Sequence, residues 1–303
     1  MTDSVAPSIS IVTPSYNQGR FLEEAICSVL AQSYRNVEYV VIDGASTDDS
    51  VEVVRKYEDR LAYWVSEPDK GQYDAINKGF ARTTGEIMAW LNSDDKYTPW
   101  ALAVVADIFR TFPHVEWITS IHPIRWNERG QAVHVDFTGG FNRQSFLRGG
   151  NFPVKGSHGR RWIQQESTFW RRSLWERAGG RLDCSSGLAA DFELWARLFQ
   201  HAHLYGVSAL LGGFREHGDQ RSVHHREQYL HEADRILRSY GQWPCGKAQR
   251  CVREFIWKSF RQYSLTSIPL TVRSVLQRTG LLYPAPVAVW RGKEWEMITG
   301  FVV

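Results

Sequence analysis

Two adjacent carboxylates, Asp94 and Asp95, follow an apolar run from Ile87 to Leu91 in the stretch 86–99, EIMAWLNSDDKYTP. Such a run reads as a strand buried in a parallel sheet, and the carboxyl end of such a strand is where open α/β sheets bind ligands. Like charges this close repel and need a cation or a generous set of donors. A divalent ion carrying a diphosphate meets both needs, and hard oxygen ligands suit Mg²⁺ or Mn²⁺. A solvated turn with a helix cap is the plainer account of the pair taken alone. A third acid, Asp191, falls in the first turn of a helix expected over 188–198, LAADFELWARL. A helix N-terminus there favours the anion, and a simple cap is again the alternative.

These acids need elements to bring them together. Residues 8–14 (SISIVTP), 37–42 (VEYVVI) and 61–65 form three expected strands, and 86–91 the fourth. Helices at 3.6-residue spacing fall between them, with Thr47 or Asp48 able to cap the second and residues 72–81 forming the third. Alternating strands and helices imply a parallel sheet with right-handed crossovers. Each strand then ends in a polar loop, and one sheet edge gathers Tyr16, Asn17, Asp43, Asp69, Asp94 and Asp95. Further on, 115–121 and 204–214 read as strands, 163–170 as an extended segment, and 155–161 (KGSHGRR) as a mobile basic loop. No GxGxxG or GxxxxGK[ST] follows the first strand, so the two commonest nucleotide-binding signatures are missing.

A chain of 303 residues with 43% hydrophobic and 23% charged content is an ordinary globular composition. A net charge of +3 is too small to argue for nucleic acid. The four cysteines show no metal spacing and read as free thiols in a reducing compartment. The N-terminal residues carry no secretory pattern, and no apolar run reaches the roughly 18 residues a membrane span needs. A cytoplasmic protein is expected.

In combination and in order, SIVTPSYNQGRFLEEAICSVLAQSY, VEYVVIDGASTDDS, EPDKGQYDAINKGF, GEIMAWLNSDD, QESTFWRRSLWERAGG, ADFELWARL and GFREHGDQRS resemble the family 2 nucleotide-sugar glycosyltransferases. The likeness spans about residues 8–222. It implies a GT-A fold: a mostly parallel, Rossmann-like sheet flanked by helices. The nucleotide-sugar half would be about 8–121 and the acceptor half about 122–222. It further implies that Pro14, Tyr16, Asn17, Asp43, Asp74 and Asp94 serve the nucleotide, with the Tyr16 ring on the base and Asp43 accepting from a base imide. Asp95 and His217 would hold Mn²⁺ or Mg²⁺, with Arg215 and Gln220 as alternative partners of the phosphates. Asp191 would be the catalytic base. The sequence departs from the family pattern after Asp43, where the usual Asp-Asp-Gly-Ser is Asp43-Gly44-Ala45-Ser46 and the second acid is missing, and at Ala190, before the base.

The implied reaction is an inverting, metal-dependent transfer from a UDP- or dTDP-sugar to a hydroxyl of a glycan or lipid-linked oligosaccharide, in bacterial surface polysaccharide assembly. Leaving-group charge calls for a cation, and an acceptor hydroxyl for a base. A sugar-nucleotide nucleotidyltransferase and a non-catalytic nucleotide-sugar-binding or scaffold protein are the alternatives. Residues 223–303, outside the resemblance, read as a helical extension rich in basic and aromatic residues. Two roles fit it: a cap packed on the sheet, or a surface lying on the inner face of an anionic membrane. Docking to another chain, including a homo-oligomer, is a third.

Overall fold

In a computed structural model, the structure describes residues 6–152, 162–220, 224–242, 246–260 and 267–302. The basic loop expected at 155–161 lies outside these residues, as do Trp243 and Cys245. The first half alternates as expected: β1 (Ile9–Ser15), α1 (Gly19–Leu30), β2 (Val37–Asp43), α2 (Ser50–Arg55), β3 (Tyr63–Ser66), α3 (Gln72–Phe80) and β4 (Ile87–Trp90). There follow β5 (Lys96–Tyr97), α4 (Ala101–Thr111), β6 (Trp117–Ser120), β7 (Ile124–Trp126), β8 (Ala132–Val135), α5 (Arg143–Leu147), β9 (Thr168–Arg171), α6 (Arg172–Arg177) and α7 (Ala190–His201). Beyond them lie β10 (Leu204–Val207), β11 (Gly212–Arg215), α8 (Arg226–Ser239), α9 (Lys247–Phe260), α10 (Leu270–Arg278), β12 (Tyr283–Trp290) and β13 (Trp295–Val302).

Nine strands form the main sheet in the order β13-β12-β10-β6-β9-β4-β1-β2-β3. All its neighbouring pairs are parallel except those made by β9, between β4 and β6, and by β13 on β12. The chain lays β2 and β3 on one side of β1 and β4 on the other. The switch point of the topology therefore lies between β1 and β4, and a crevice opens there at the carboxyl edge.

The stretch 204–214 is two strands rather than one. β10 stays in the main sheet, while β11 crosses to a small second sheet of order β5-β11-β7-β8. Gly212 makes the crossing possible, since a Cβ there would stand 2.1 Å from the Glu166 carbonyl oxygen. The extended segment before β9 contains a 3₁₀ turn, Gln165–Ser167. Among its described residues the extension carries the helices α8, α9 and α10, but its last residues form a hairpin that lengthens the main sheet. Pro284 and Pro286 are tolerated within β12. They share one parity, so their missing N–H groups point to the same side, and the ladder to β10 begins only at Val287.

Apolar side chains fill both faces of the main sheet. On one face Trp90 of β4 stacks on Trp195 of α7 (5.8 Å, 8°), and Trp195 also meets Trp117 and Trp170. This aromatic contact fastens together the two elements that carry the candidate acids. Asp191 lies one helical turn before Trp195, and Asp94 four residues past Trp90.

Candidate active site

The carboxyl edge of β1, β2 and β4 opens onto a cleft of about 690 Å³ lined by Pro14, Tyr16, Gly44, Asp69, Gln72, Asn92, Asp94, Asp219 and Gln220, among others. That volume lies in the range of small-ligand pockets. The Tyr16 ring is 61% exposed at the rim, free to receive a planar ligand. Asn17 does not line the cleft. It sits at φ 52°, and its side-chain oxygen accepts from Thr47 N (2.8 Å), which shapes the loop that presents Tyr16.

Asp43 is fully buried at the end of β2. Its Oδ2 accepts from Ser46 N and the Ser66 hydroxyl, and its Oδ1 from the Ser46 hydroxyl. A further donor can reach it only at the accepting capacity left on these oxygens. Asp74 stands apart from the cleft in the first turn of α3, where it accepts from Lys70 N (3.0 Å) and pairs with Lys78 (3.5 Å). The structure does not bring it to the nucleotide side assigned by the resemblance.

The acid pair divides. Asp94 faces the cleft, and its Oδ2 lies 3.0 Å from His217 Nε2. Asp219 N donates to His217 Nδ1 (3.3 Å), so Nε2 carries the hydrogen and donates to Asp94. The His217 ring packs on Phe21 (4.6 Å). Asp95 points inward with no exposed surface. Its Oδ1 accepts from Arg215 N (2.9 Å) and its Oδ2 from the Asn92 amide (3.0 Å). Burial first, then the neighbouring charges of Asp94 and Glu166, push its carboxyl well above the usual range.

Behind the pair, Arg215 is 1% exposed and every branch of its guanidinium is in use. Nε donates to the Asp94 carbonyl (2.6 Å), Nη1 to the Glu128 carbonyl (3.1 Å) and Nη2 to Glu24 (2.5 Å). The Gln220 amide donates to the Arg215 carbonyl, and Gln220 Oε1 accepts from His217 N (3.2 Å). Arg215 therefore holds the acid turn from behind and is not a phosphate ligand, contrary to the alternative raised from the sequence.

Asp191 is buried at the start of α7. Burial raises its carboxyl to about 6, partly offset by hydrogen bonds from Phe192 N (2.7 Å) and the Tyr229 hydroxyl (3.1 Å), both to Oδ1. Helix α3 touches both the cleft and the segment that leads into α7. Gln72 faces the cleft, while the neighbouring Tyr73 hydroxyl donates to the Leu188 carbonyl (2.8 Å), three residues before Asp191. A fourth buried acid, Glu166, is pushed up to about 8 mainly by burial, and it feels the charges of both Asp94 and Asp191. Among the described residues no group of three His, Cys, Asp or Glu side chains is placed to hold a metal ion. An open set suits a cation that takes its remaining ligands from phosphate and water.

A family model for glycosyl transferase family 2 matches residues 10–172, more than half of the chain. The chain belongs to glycosyl transferase family 2. An uncharacterized glycosyltransferase of Mycobacterium tuberculosis (strain H37Rv) is 34% identical over 199 residues, covering 63% of this chain and 69% of its own. The Bacillus subtilis (strain 168) protein TuaG, named as a teichuronic acid biosynthesis glycosyltransferase, is 36% identical over 94 residues, 30% of this chain and 37% of its own. Among solved structures, S. aureus TarS 1–349 in complex with UDP-GlcNAc superposes with a TM-score of 0.59 at 14% identity, over 87% of this chain and 77% of that one. The mannosyltransferase PcManGT from Pyrobaculum calidifontis, in complex with GDP-Man and Mn²⁺, gives 0.56 at 21%, over 80% and 67%.

This family 2 glycosyltransferase thus has the GT-A fold that its motifs imply. Two residues in its site, Glu166 and Tyr229, were not singled out from sequence, and a third, Arg215, was given a different role. Glu166 lies in a quoted motif, but nothing in QES separates a buried acid from a surface one. The clamp role of Arg215 depends on contacts to residues far away in the chain. Tyr229 lies beyond every quoted motif, on a helix whose spacing reveals an apolar face but not what that face touches.

Proposed function

We propose that this glycosyltransferase moves a sugar from a UDP- or dTDP-sugar to a hydroxyl of a glycan or lipid-linked acceptor, with a divalent cation on the diphosphate and inversion at the anomeric carbon. One observation carries the reading: Asp94 lines the switch-point cleft with its Oδ2 3.0 Å from His217 Nε2, and α3, whose Gln72 lines the same cleft, reaches through Tyr73 to the segment that delivers the buried carboxylate Asp191. Tyr16 offers its ring to the base, above Pro14 and Gly44. Asp94 is the acid that reaches the cation, and His217 can join it by moving its hydrogen from Nε2 to Nδ1. Asp95 is reached only if Asn92 releases its Oδ2. When bound, Mn²⁺ or Mg²⁺ offsets the charge that builds on the leaving diphosphate. Asp191 accepts the proton of the incoming hydroxyl. With one base and direct displacement, an α-linked donor yields a β-linked product.

The solved relatives holding UDP-GlcNAc, and GDP-Man with Mn²⁺, support a nucleotide-sugar donor and a divalent ion. The name of TuaG supports an acceptor in bacterial surface polysaccharide. No helix among the described residues is long and apolar enough to cross a membrane. Phe255, Leu270 and Val275 are exposed on α9 and α10 near Lys258 and Arg278, which supports contact with the inner face of an anionic membrane.

The test is thermal-shift binding of UDP, dTDP, GDP and CDP, with and without Mn²⁺, on the wild type, Asp94→Ala and His217→Ala. Metal-dependent stabilisation by UDP or dTDP that Asp94→Ala abolishes is expected. A nucleotide response that ignores both metal and Asp94 overturns the assignment. NMR of the product's anomeric configuration then tests inversion.

A further inference from the structure

We propose that α8, the first helix of the C-terminal extension, belongs to the catalytic apparatus, with Tyr229 and Glu232 as positioning residues that orient Asp191. The inference rests on Asp191 being the base and extends that reading to residues outside the matched span 10–172. Tyr229 donates its hydroxyl to Asp191 Oδ1 (3.1 Å), the oxygen that also accepts from Phe192 N. Among the described residues both hydrogen bonds fall on Oδ1, which leaves Oδ2 as the oxygen turned to a reacting hydroxyl. The Tyr229 ring is itself held by Trp162 (5.0 Å).

One turn further along α8, Glu232 Oε2 accepts from Leu188 N (2.7 Å) and Ala189 N (3.2 Å), the last backbone donors before α7 begins. Its Oε1 accepts from Gln228 (2.9 Å). The carboxylate sits where a side chain on residue 187 would be, since a Cβ on Gly187 would stand 2.3 Å from Glu232 Oε1. Gly187 also has φ +66°, a conformation that favours glycine there. From the opposite side Tyr73 holds the Leu188 carbonyl. The segment that delivers Asp191 is thus gripped by α3 of the nucleotide half and by α8 of the extension.

Among the described residues, two groups face Asp191. Tyr229 comes from α8 and Glu166 from the turn before β9, with Tyr73 and Glu232 acting on it through Tyr229. Arg143 of α5 and Arg177 of α6 are engaged elsewhere, with Gln200 and Glu116. A hydroxyl that donates to the carboxylate stabilises its charged form more than its neutral form. Removing the hydroxyl therefore raises the carboxyl's pKa and moves the acid limb of the rate upward.

The experiment uses the full chain labelled with ¹³C at the Asp carboxyls, with Asp191→Asn assigning the resonance. Tyr229→Phe keeps the ring and its packing on Trp162. It is expected to raise the Asp191 titration by about half to one pH unit. It should move the acid limb of metal-dependent hydrolysis of UDP-, dTDP- or GDP-sugars by the same amount, with the donor KM unchanged. Glu232→Gln is expected to lower kcat about tenfold with the donor KM intact. An Asp191 titration that does not move in Tyr229→Phe, or wild-type kcat in Glu232→Gln, overturns the inference. Full turnover by Asp191→Asn overturns instead the reading of Asp191 as the base, whatever the titration shows.

Discussion

Replacing Arg215 by Ala tests whether the acid turn is held from behind. The side chain is 1% exposed and makes three hydrogen bonds: to Glu24, the Asp94 carbonyl and the Glu128 carbonyl. Bonds of a charged donor are each worth about 1.5–3 kcal/mol. Not all of that is lost on removal. The Glu24 side chain is 42% exposed, so water can reach it, and Lys96 stays bound to it (2.5 Å). The two carbonyls and the vacated volume remain, so the expected loss is about 3 kcal/mol, at the lower end for breaking a buried ionic partner.

The functional loss should be larger in proportion. Nε is the contact that fixes the Asp94 backbone, and a shift of about 1 Å at a reacting group costs on the order of 10²-fold in rate. Arg215→Lys keeps a cation for Glu24 but loses the fork, so it should recover stability more than turnover. Urea denaturation with donor hydrolysis, run on both variants, checks this. An Arg215→Ala protein within about 1 kcal/mol of wild type that still hydrolyses the donor at the wild-type rate would refute the clamp.

Asp191 must be ionised to accept a proton, and burial raises it to about 6, so kcat should climb with pH through about 6 and level off above it. A profile flat from about pH 5 to 8 would count against it as the base. Tyr16→Ala removes an exposed ring from the cleft rim and should weaken nucleotide binding by about 1–2 kcal/mol, roughly five- to thirtyfold by titration calorimetry, with no change in melting temperature. In Gly79→Ala the new Cβ would stand 2.4 Å from Val12 Cγ1, where α3 lies on β1. Overpacking costs about 1–3 kcal/mol and the gain in helix propensity returns up to about 1, so a net loss of about 1–2 kcal/mol is expected on urea unfolding.

Local signals were enough for the first half of the fold. The run of β-branched residues at 37–42, the helical spacing at 72–81 and the apolar strand before Asp94 each carry their period within a few residues. That period alone decides strand or helix and where the polar loops fall. The same holds for the gathering of Tyr16 and Asp94 at one edge, because parallel strands must all end on the same side. The types of acid needed for a cation and a base were legible for the same reason.

Tertiary contacts decided the rest. Asp94 and Asp95 are identical in type and adjacent, yet one faces the cleft and the other is sealed under Arg215 and Asn92. That choice is made by a residue 120 positions away. Asp74 and Asp191 are both acids in the first turn of a helix, but only the second is buried against a tyrosine hydroxyl. A strand forms through Pro284 and Pro286, and which neighbouring strand faces their missing donors is not written in the chain nearby. Burial and hydrogen-bond partners arise from segments far apart in sequence. They set a carboxyl's charge and aim more strongly than its own neighbours do, and the sequence carries no local trace of them.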